Sequence, residues 1–373
     1  MRIIRIEAIP VRIPLKPERR MISALGRHAV SDFVLVRITT DGRLEGAGEA
    51  TVTPRWSGET VWGAQAIIEH VFAPALMGCD PRDWREIDRR LDAAAHGNWF
   101  AKASLEMACW DIAGRAVNLP IYELLGGACR PLTVRNRFSL GAYEPALAKE
   151  RAIALVNAGF NTIKVKVGTD PVQDVLRVRA VREGIGPNIA LIIDANGGWD
   201  EPTALSCLND LHECHLTIVE QPLPRGNHAG LKRLRSQTGQ KILADESCFT
   251  EEEAHELIDQ KCCDALSLYP GKAGGIGKAR RLAEFAGEHG IPCTIGSNLE
   301  WDLGAAAMMH LIVSTPNMDI ETYPGDCLGP SYHEFSIAKN PLTIKGPFTT
   351  ISTAPGLGVE VDWDLIEQHR LDR

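Results

Sequence analysis

Residues 191–196 read LIIDAN, a short apolar run that ends near an acid, and the pattern returns as TIVEQP at 217–222 and as ILADES at 242–247. The three acids are Asp194, Glu220 and Asp245, which follow one another at intervals of 26 and 25 residues. An interval of this length holds one strand, one helix and two turns. The pattern therefore predicts consecutive βα units with one acid at the end of each strand.

Further β-branched runs continue this repeat on both sides. We predict strands at 132–139, 161–167, 189–194, 216–220, 241–244, 264–268, 291–295 and 317–320. Each gap has room for a helix, and eight such units over roughly 200 residues are typical of a (β/α)8 barrel of the TIM type. A doubly wound α/β sheet is the alternative that the same alternation allows.

The residues before and after the repeat have a different pattern. Residues 1–128 begin with strands and continue with helical segments from about 60 to 125, which predicts an α+β domain. Residues 129–339 hold the barrel repeat, and residues 340–373 return to strand character. We expect this last segment to pack back on the N-terminal domain.

Composition limits the classes of function. The 373 residues carry 40 Lys and Arg against 48 Asp and Glu, a net charge of −8, with no basic block. This balance argues against a nucleic-acid or anionic-membrane partner. No apolar run approaches the ~18 residues that a membrane helix needs, and the first residues lack the pattern of a signal peptide, so we expect a cytoplasmic protein. The ten cysteines form no CxxC pair, which favours buried free thiols over disulfides or a zinc site.

The strand-end acids predict a metal site. The carboxyl ends of parallel barrel strands meet on one rim, so Asp194, Glu220 and Asp245 would lie side by side. Three neighbouring carboxylates repel one another unless a cation lies between them. An all-oxygen set favours Mg²⁺ over Zn²⁺, with Mn²⁺ as a possible substitute. A single acid at a strand end is more often a helix cap, but that explanation does not account for three in consecutive units.

A pair of lysines precedes the first acid, in residues 162–168, which read TIKVKVG. Because side chains alternate along a strand, Lys164 and Lys166 share one face and the apolar residues share the other. The apolar face belongs against the helices, which turns both lysines into the barrel. Repulsion from a second ammonium group and a metal ion lowers lysine pKa values. A neutral lysine beside a metal-bound carboxylate can remove the proton from the adjacent carbon through an enediolate.

Several motifs together carry a family resemblance. Lys164-Val165-Lys166 has the form KxK, residues 108–116 read ACWDIAGRA ahead of LLGG at 124–127, and PGLGVEVD lies at 355–362. With the three acids, these motifs resemble the enolase superfamily, specifically its muconate-lactonizing (muconate cycloisomerase) branch among the mandelate racemase-like enzymes. The resemblance covers nearly the whole chain. It implies a modified TIM barrel, an N-terminal α+β capping domain completed by the C-terminal segment, and Mg²⁺ held by the three acids.

The same resemblance implies roles for the lysines. Lys166 would be the acid/base that faces the carbon next to the substrate carboxylate. Lys164 would polarise that carboxylate and tune its neighbour, and Asn196 would be a polar contact on the same rim.

The chain departs from the family where a second lysine usually ends strand six. Aligned on Gly274-Gly275, that position holds Tyr269, and Lys272 lies three residues further on. A tyrosine, with a reference pKa near 10, is a poor base at neutral pH, although it can hydrogen-bond or donate a proton. Racemisation with two opposed bases is thereby disfavoured, whereas one-base reactions are unaffected. Lys272 is either an acid/base that folds back into the site or a solvated loop residue.

The later strands offer candidate substrate contacts. Residues 293–300 lack the histidine that the mandelate racemase branch places there, which disfavours that branch, and Ser297 and Asn298 are candidate contacts. Asp319, in the predicted eighth strand, and Glu321, directly after it, would either meet a cationic substrate group or fix a loop or helix end.

The family draws its specificity from two loops of the capping domain. Here the first loop offers Arg27 and His28, and the second offers Arg55 and Trp56. Guanidinium groups suit a second carboxylate or another anionic or polar part of the substrate. Trp56 suits an apolar or cationic part. Each of these is otherwise an ordinary surface residue.

The predicted function is Mg²⁺-dependent abstraction of the proton next to the carboxylate of a small acid, in a homo-oligomer. Cycloisomerisation of muconate type comes first. Dehydration of a hydroxy acid or acid sugar comes second, and racemisation or epimerisation of an amino-acid derivative comes third. Two other classes are a barrel aldolase that forms a Schiff base on Lys164 or Lys166 and a metal-binding barrel that has lost catalysis.

Overall fold

The computed structural model describes residues 1–372 and opens with an antiparallel sheet. Its first five strands are β1 (Ile3–Pro14), β2 (Met21–Ser23), β3 (Gly26–His28), β4 (Val30–Thr40) and β5 (Glu45–Val52). Strands β1, β4 and β5 form one sheet in the order β1-β4-β5, and β2 and β3 form a separate hairpin. This hairpin lies within a segment that the sequence indicated only as a loop.

Six helices follow this sheet in the chain. They are α1 (Pro54–Ser57), α2 (Val61–Ile67), α3 (Ala73–Leu76), α4 (Trp84–Ala94), α5 (Trp99–Val117) and α6 (Ile121–Leu124), with a π-helical turn at Ile68–Phe72 between α2 and α3. Helices α2 and α5 pack on the sheet, and α5 lies directly on β5. A Cβ at Gly48 would stand 1.8 Å from the carbonyl oxygen of Ser104, so only glycine permits this approach.

The second half of the chain forms the barrel. The remaining strands are β6 (Thr133–Arg135), β7 (Phe138–Leu140), β8 (Thr162–Lys166), β9 (Ala190–Asp194), β10 (Ile218–Glu220), β11 (Ile242–Ala244), β12 (Ala265–Leu268), β13 (Cys293–Ile295), β14 (Thr343–Lys345) and β15 (Phe348–Thr350). Strands β7 to β13 pair in chain order as one parallel sheet of seven strands. The alternation of strands and helices predicted from the sequence is therefore confirmed as a barrel of the TIM type.

Helices alternate with these strands. They are α7 (Pro145–Asn157), α8 (Pro171–Ile185), α9 (Glu201–Asp210), α10 (His228–Thr238), α11 (Glu251–Asp259), α12 (Pro270–Ala273), α13 (Ile276–Glu288), α14 (Asp302–Ser314) and α15 (Trp363–His369). Helix α15 lies against β1, and a β-bridge joins Val11 to Arg370 nearby. No helix within residues 1–372 is long and apolar enough to cross a membrane.

Two predicted strands differ from the structure. The run at 132–139 is divided, because β6 pairs with β15 in a small antiparallel sheet and only β7 enters the barrel. The eighth strand, predicted at 317–320, is reduced to one bridge between Cys293 and Met318. Residues 317–320 bend into local turns, in which the Ile320 amide donates to the Met318 carbonyl. A second single bridge joins Gly325, five residues further on, to Asn136, which lies two residues before β7.

A buried carboxylate joins the N-terminal sheet to the barrel. Glu49 on β5 accepts hydrogen bonds from the backbone amides of Trp301 (2.7 Å), Leu303 (3.2 Å) and Gly304 (3.0 Å), at the start of α14. Burial raises the pKa of Glu49 to about 7. The carboxylate therefore satisfies amides that the helix itself cannot.

We predict that Glu49→Gln lowers the free energy of unfolding by about 2 to 3 kcal/mol at pH 8, because a neutral amide replaces a buried acceptor of charge-assisted hydrogen bonds. Urea unfolding followed by circular dichroism measures this change. Glu150→Gln, on the exposed face of α7, is the control. Equal midpoints for the two variants would contradict the assigned role of Glu49.

Candidate active site

The strand register places the predicted acids side by side. Lys166 on β8 lies opposite Asp194 on β9, and Asp194 lies opposite Glu220 on β10. Asp245 follows the end of β11. These four residues and Lys164 line one cavity of about 270 Å³, which is also lined by residues from the segments 21–28 and 53–56 of the N-terminal domain. The sequence therefore identified the residues that form the cavity floor.

Lys164 lies between two acids. Its Nζ donates to Glu220 Oε1 at 3.0 Å and stands 3.0 Å from Asp194 Oδ2. Burial and the charge of Arg137 lower the pKa of Lys164, but Asp194 and Glu220 outweigh them and raise it. The expected lowering of the lysine pKa includes the charge of a bound metal ion, whereas in this structure the nearest charges to Lys164 are carboxylates. A lowered pKa therefore stays a prediction for the metal-bound site.

Lys166 lies closer to the cavity mouth. Its Nζ donates to Asp194 Oδ2 at 2.6 Å and to Asn196 Oδ1 at 2.8 Å. Burial acts to raise the pKa of Asp194, but the ammonium groups of Lys164 and Lys166 outweigh it and hold this pKa below its usual range. Asp194 is thus ionised at neutral pH, and Lys166 has one contact, to Asn196, that is independent of the acids.

Glu220 has a cation on the side away from the cavity mouth. Arg137, fully buried, holds its Nη2 3.5 Å from Glu220 Oε2 and donates through Nη1 to the Pro324 carbonyl at 2.6 Å. Burial and the charge of Asp194 raise the pKa of Glu220. Arg137 is a site residue that the sequence does not predict. A lone arginine between β6 and β7 gives no signal that it faces inward.

The donor set fits a hard divalent cation. The side chains of Asp194, Glu220 and Asp245 supply only carboxylate oxygens to one cavity, as Mg²⁺ requires. Within residues 1–372, no three such groups already surround one point at metal-binding distance. The Lys164 ammonium lies between Asp194 and Glu220 instead, which shows that this position attracts positive charge.

Tyr269 and Lys272 do not line the cavity. Lys272 is buried, and its Nζ donates to the side chain and the carbonyl of Asp245, each at 2.8 Å, and to the Ser267 carbonyl. It is therefore neither solvated nor directed at a substrate. Tyr269 is buried behind Trp56. Burial raises the pKa of Tyr269 well above its usual value, and nearby acids, Asp245 first among them, raise it further.

The rim of the cavity brings together most of the other candidates. Seven of them line it, namely Asn196, Arg27, His28, Arg55, Trp56, Ser297 and Asn298. Asp319 and Glu321 do not. Asp319 Oδ1 accepts the amide of Thr322, and Glu321 lies 3.5 Å from Arg130. Both belong to the end of the barrel away from this cavity, in agreement with the loop-fixing alternative.

Three further polar residues belong to the site. Asp326 and Ser139 line the cavity, and the Ser139 hydroxyl donates to Asp326 Oδ2 at 2.8 Å. Asp326 lies six residues beyond the predicted eighth strand, so the strand pattern gave no reason to place it here. Glu246 accepts hydrogen bonds from Trp56 and Asn196. Its position directly after Asp245, at the end of β11, is a signal in the sequence that could have identified it.

Two family models match the chain. The model described as "Mandelate racemase / muconate lactonizing enzyme, N-terminal domain" matches residues 4–126. The model described as "Enolase C-terminal domain-like" matches residues 147–365. Together they cover most of the chain.

Curated relatives include enzymes with different reactions. A chloromuconate cycloisomerase of Cupriavidus necator is 33% identical over 370 residues, which are 98% of this chain and 99% of that protein. A hydrophobic dipeptide epimerase of Enterococcus faecalis is 33% identical over 360 residues, 95% of this chain and 99% of that protein. The crystal structure of an N-succinyl Arg/Lys racemase from Bacillus cereus superimposes with a TM-score of 0.95 at 28% identity, covering 100% of this chain and 98% of that one.

We predict that Mg²⁺ binds at the three acids and that Asp245→Asn weakens binding at least about tenfold, since even the loss of an outer-shell partner costs that much. Isothermal titration calorimetry with MgCl₂ measures the affinity. Asp319→Asn is the matched control, because this acid lies outside the cavity. Equal weakening in both variants would contradict the site.

Proposed function

We propose a reaction for this chain on the premise that it belongs to the mandelate racemase / muconate lactonizing enzyme family of the enolase superfamily. Membership confirms the resemblance drawn from the sequence motifs and the modified TIM barrel with its N-terminal capping domain. Like its relatives, the chain is an enzyme. The relatives differ in reaction, so the choice among reactions depends on this chain's own cavity.

We infer that Asp194, Glu220 and Asp245 hold Mg²⁺. When bound, the ion would stabilise negative charge on a substrate carboxylate as the adjacent carbon loses or gains a proton. Lys164 would then leave its position between Asp194 and Glu220. Its ammonium group would then donate to the same substrate carboxylate.

The observation that supports one-base chemistry is the placement of the three lysines. Lys164 and Lys166 face the cavity from one strand, whereas Lys272 is held by Asp245 on the far side of that acid. Tyr269 stands where the family usually has a second lysine, but it is protonated at neutral pH and lies behind Trp56. A two-base epimerisation needs a group on each face of the carbon. This cavity offers Lys166 on one face only.

The rim supports a substrate with a second anionic group. Arg27 in the β2–β3 hairpin and Arg55 in the turn α1 line the cavity, and neither is paired with an acid within residues 1–372. An unsaturated dicarboxylate would place one carboxylate at the metal site and the other near these guanidinium groups. In cycloisomerisation, an oxygen of the distal carboxylate forms a C–O bond at the double bond, and Lys166 delivers a proton to the carbon next to the first carboxylate. We therefore propose cycloisomerisation, with lactone formation, of an unsaturated dicarboxylic acid.

We predict that Lys166→Ala lowers kcat about 10² to 10⁴-fold, the contribution of a positioned general acid or base, while Mg²⁺ binding persists. The assay follows loss of the conjugated diene absorbance of cis,cis-muconate with MgCl₂, and deuterium incorporation into the product in D₂O by NMR. Lys339→Ala, an exposed residue, is the control. Retained deuterium incorporation in Lys166→Ala would exclude Lys166 as the proton donor.

The same enzyme is also assayed with a hydroxy acid and with a dipeptide, the substrates of the two alternative reactions. Turnover of the dicarboxylate alone supports cycloisomerisation. Elimination of water from the hydroxy acid would show dehydration instead of cycloisomerisation. Inversion of one stereocentre of the dipeptide would show epimerisation instead. Assembly as a homo-oligomer and a cytoplasmic location stay predictions from the sequence.

A further inference from the structure

Trp56 connects a loop of the N-terminal domain to the barrel floor. The loop comprises residues 53–58, which we call the Trp56 loop, and it contains the single turn α1. The indole ring stacks on Tyr269, with ring centroids 5.6 Å apart and planes at 30°. It also lies 5.0 Å from the Phe249 ring and 5.9 Å from the Phe100 ring. Tyr269 and Phe249 come from the barrel, so the ring spans the two parts of the molecule.

A line of hydrogen bonds runs from the indole to Lys166. The Trp56 Nε1–H group donates to Glu246 Oε1 at 3.0 Å, and the same oxygen accepts Asn196 Nδ2 at 2.8 Å. Asn196 Oδ1 in turn accepts Lys166 Nζ at 2.8 Å. The Asn196 amide has a single orientation, because its oxygen faces an ammonium group and its nitrogen faces a carboxyl oxygen.

The backbone at Asn196 shows that this placement is specific. Asn196 has φ +44°, in the left-handed region that asparagine tolerates better than most residues. Its amide donates to Asp194 Oδ1 at 3.0 Å. Glu246 is buried, and its Oε2 has no hydrogen-bond partner within residues 1–372. Both polar contacts of Glu246 are therefore made through Oε1.

We propose that Trp56, Glu246 and Asn196 act as one positioning unit, the Trp56 latch, that couples closure of the Trp56 loop to the orientation of Lys166. With the loop closed, Glu246 Oε1 holds Asn196 in the orientation that fixes the Lys166 ammonium. With the loop open, Glu246 loses the indole donor and Asn196 is free to turn. The consequence for catalysis rests on the proposed function, in which Lys166 transfers the proton.

The latch also accounts for Tyr269. This position departs from the lysine that the resemblance implied, and the structure uses it as the surface on which the Trp56 ring stacks. A lysine has no flat ring to offer at that position. Tyr269 therefore serves as a positioning residue through its ring, and its hydroxyl is not required as an acid or base.

Two measurements that need no substrate test the coupling. Hydrogen–deuterium exchange reports opening at the amides of Trp56, Ser57 and Gly58, which are bonded within the loop. Acetylation of Lys166 by acetic anhydride, quantified by mass spectrometry, reports release of the ammonium group. We expect Glu246→Ala and Trp56→Phe each to raise both rates about tenfold, the worth of one hydrogen bond at the upper end of the usual range. Glu246→Gln keeps the oxygen acceptor and should stay within about twofold of the wild type, as should the exposed control Glu150→Ala.

An increase in only one of the two rates, or in neither, would overturn the coupling. Trp56→Phe keeps a ring in the aromatic cluster and so remains informative if Glu246→Ala fails to fold. For Tyr269, we expect Tyr269→Leu to open the loop, while Tyr269→Phe keeps it closed and leaves deuterium incorporation into product measurable. Loss of incorporation in Tyr269→Phe with the loop still closed would instead make the hydroxyl an acid or base and would overturn its assigned role.

The failure of this proposal is distinguishable from failure of the proposed function. If Lys166→Ala retains proton transfer while the Glu246 and Trp56 variants change both rates, the latch stands and the proposed role of Lys166 falls. If Lys166→Ala loses proton transfer and the latch variants behave as wild type, only the latch falls.

Discussion

Repulsion among three carboxylates at adjacent strand ends is the constraint on which the site depends. Asp194 and Glu220 are buried in register on neighbouring strands, and Asp245 follows on the next. A buried charge without a partner is costly. In this structure lysines balance the negative charge of the acids. Lys164 forms ion pairs with Asp194 and Glu220, and Lys272 forms one with Asp245. A divalent cation would balance the charge of all three acids from one position, and Lys164 would then be free to contact a substrate.

The N-terminal domain depends on the barrel through polar contacts as well as apolar packing. Glu49 caps α14 from β5, and Glu106 on α5 accepts the amides of Ile276 and Gly277 at the start of α13. These carboxylates fix the domain over the carboxyl rim of the barrel. The loops that carry Arg27, Arg55 and Trp56 therefore cover the cavity in a defined position. The floor and the rim of the cavity come from different parts of the chain. The relatives share the fold and differ in reaction.

The sequence predicted those features that follow from local periodicity. The alternation in TIKVKVG predicts that both lysines point into the barrel, because side chains alternate along a strand. The regular spacing of LIIDAN, TIVEQP and ILADES predicts that the three acids lie side by side, because parallel barrel strands end on one rim whatever the loops between them are. Features that depend on contacts distant in sequence were missed. Asp326 and Ser139 are 187 residues apart and meet only because the irregular eighth segment bends beside β7. The sequence does not decide whether Lys272 enters the site or is solvated, because no local pattern shows that the α12 turn directs its side chain at Asp245.

A crystal structure with Mg²⁺ and a small dicarboxylate bound tests the central claim most directly. We expect one ion coordinated by Asp194, Glu220 and Asp245, with Lys164 moved from between the first two acids onto the ligand carboxylate. We also expect Lys166 Nζ to lie beside the adjacent carbon. An ion bound elsewhere, or Lys164 still bridging Asp194 and Glu220 beside a bound ligand, would contradict this claim.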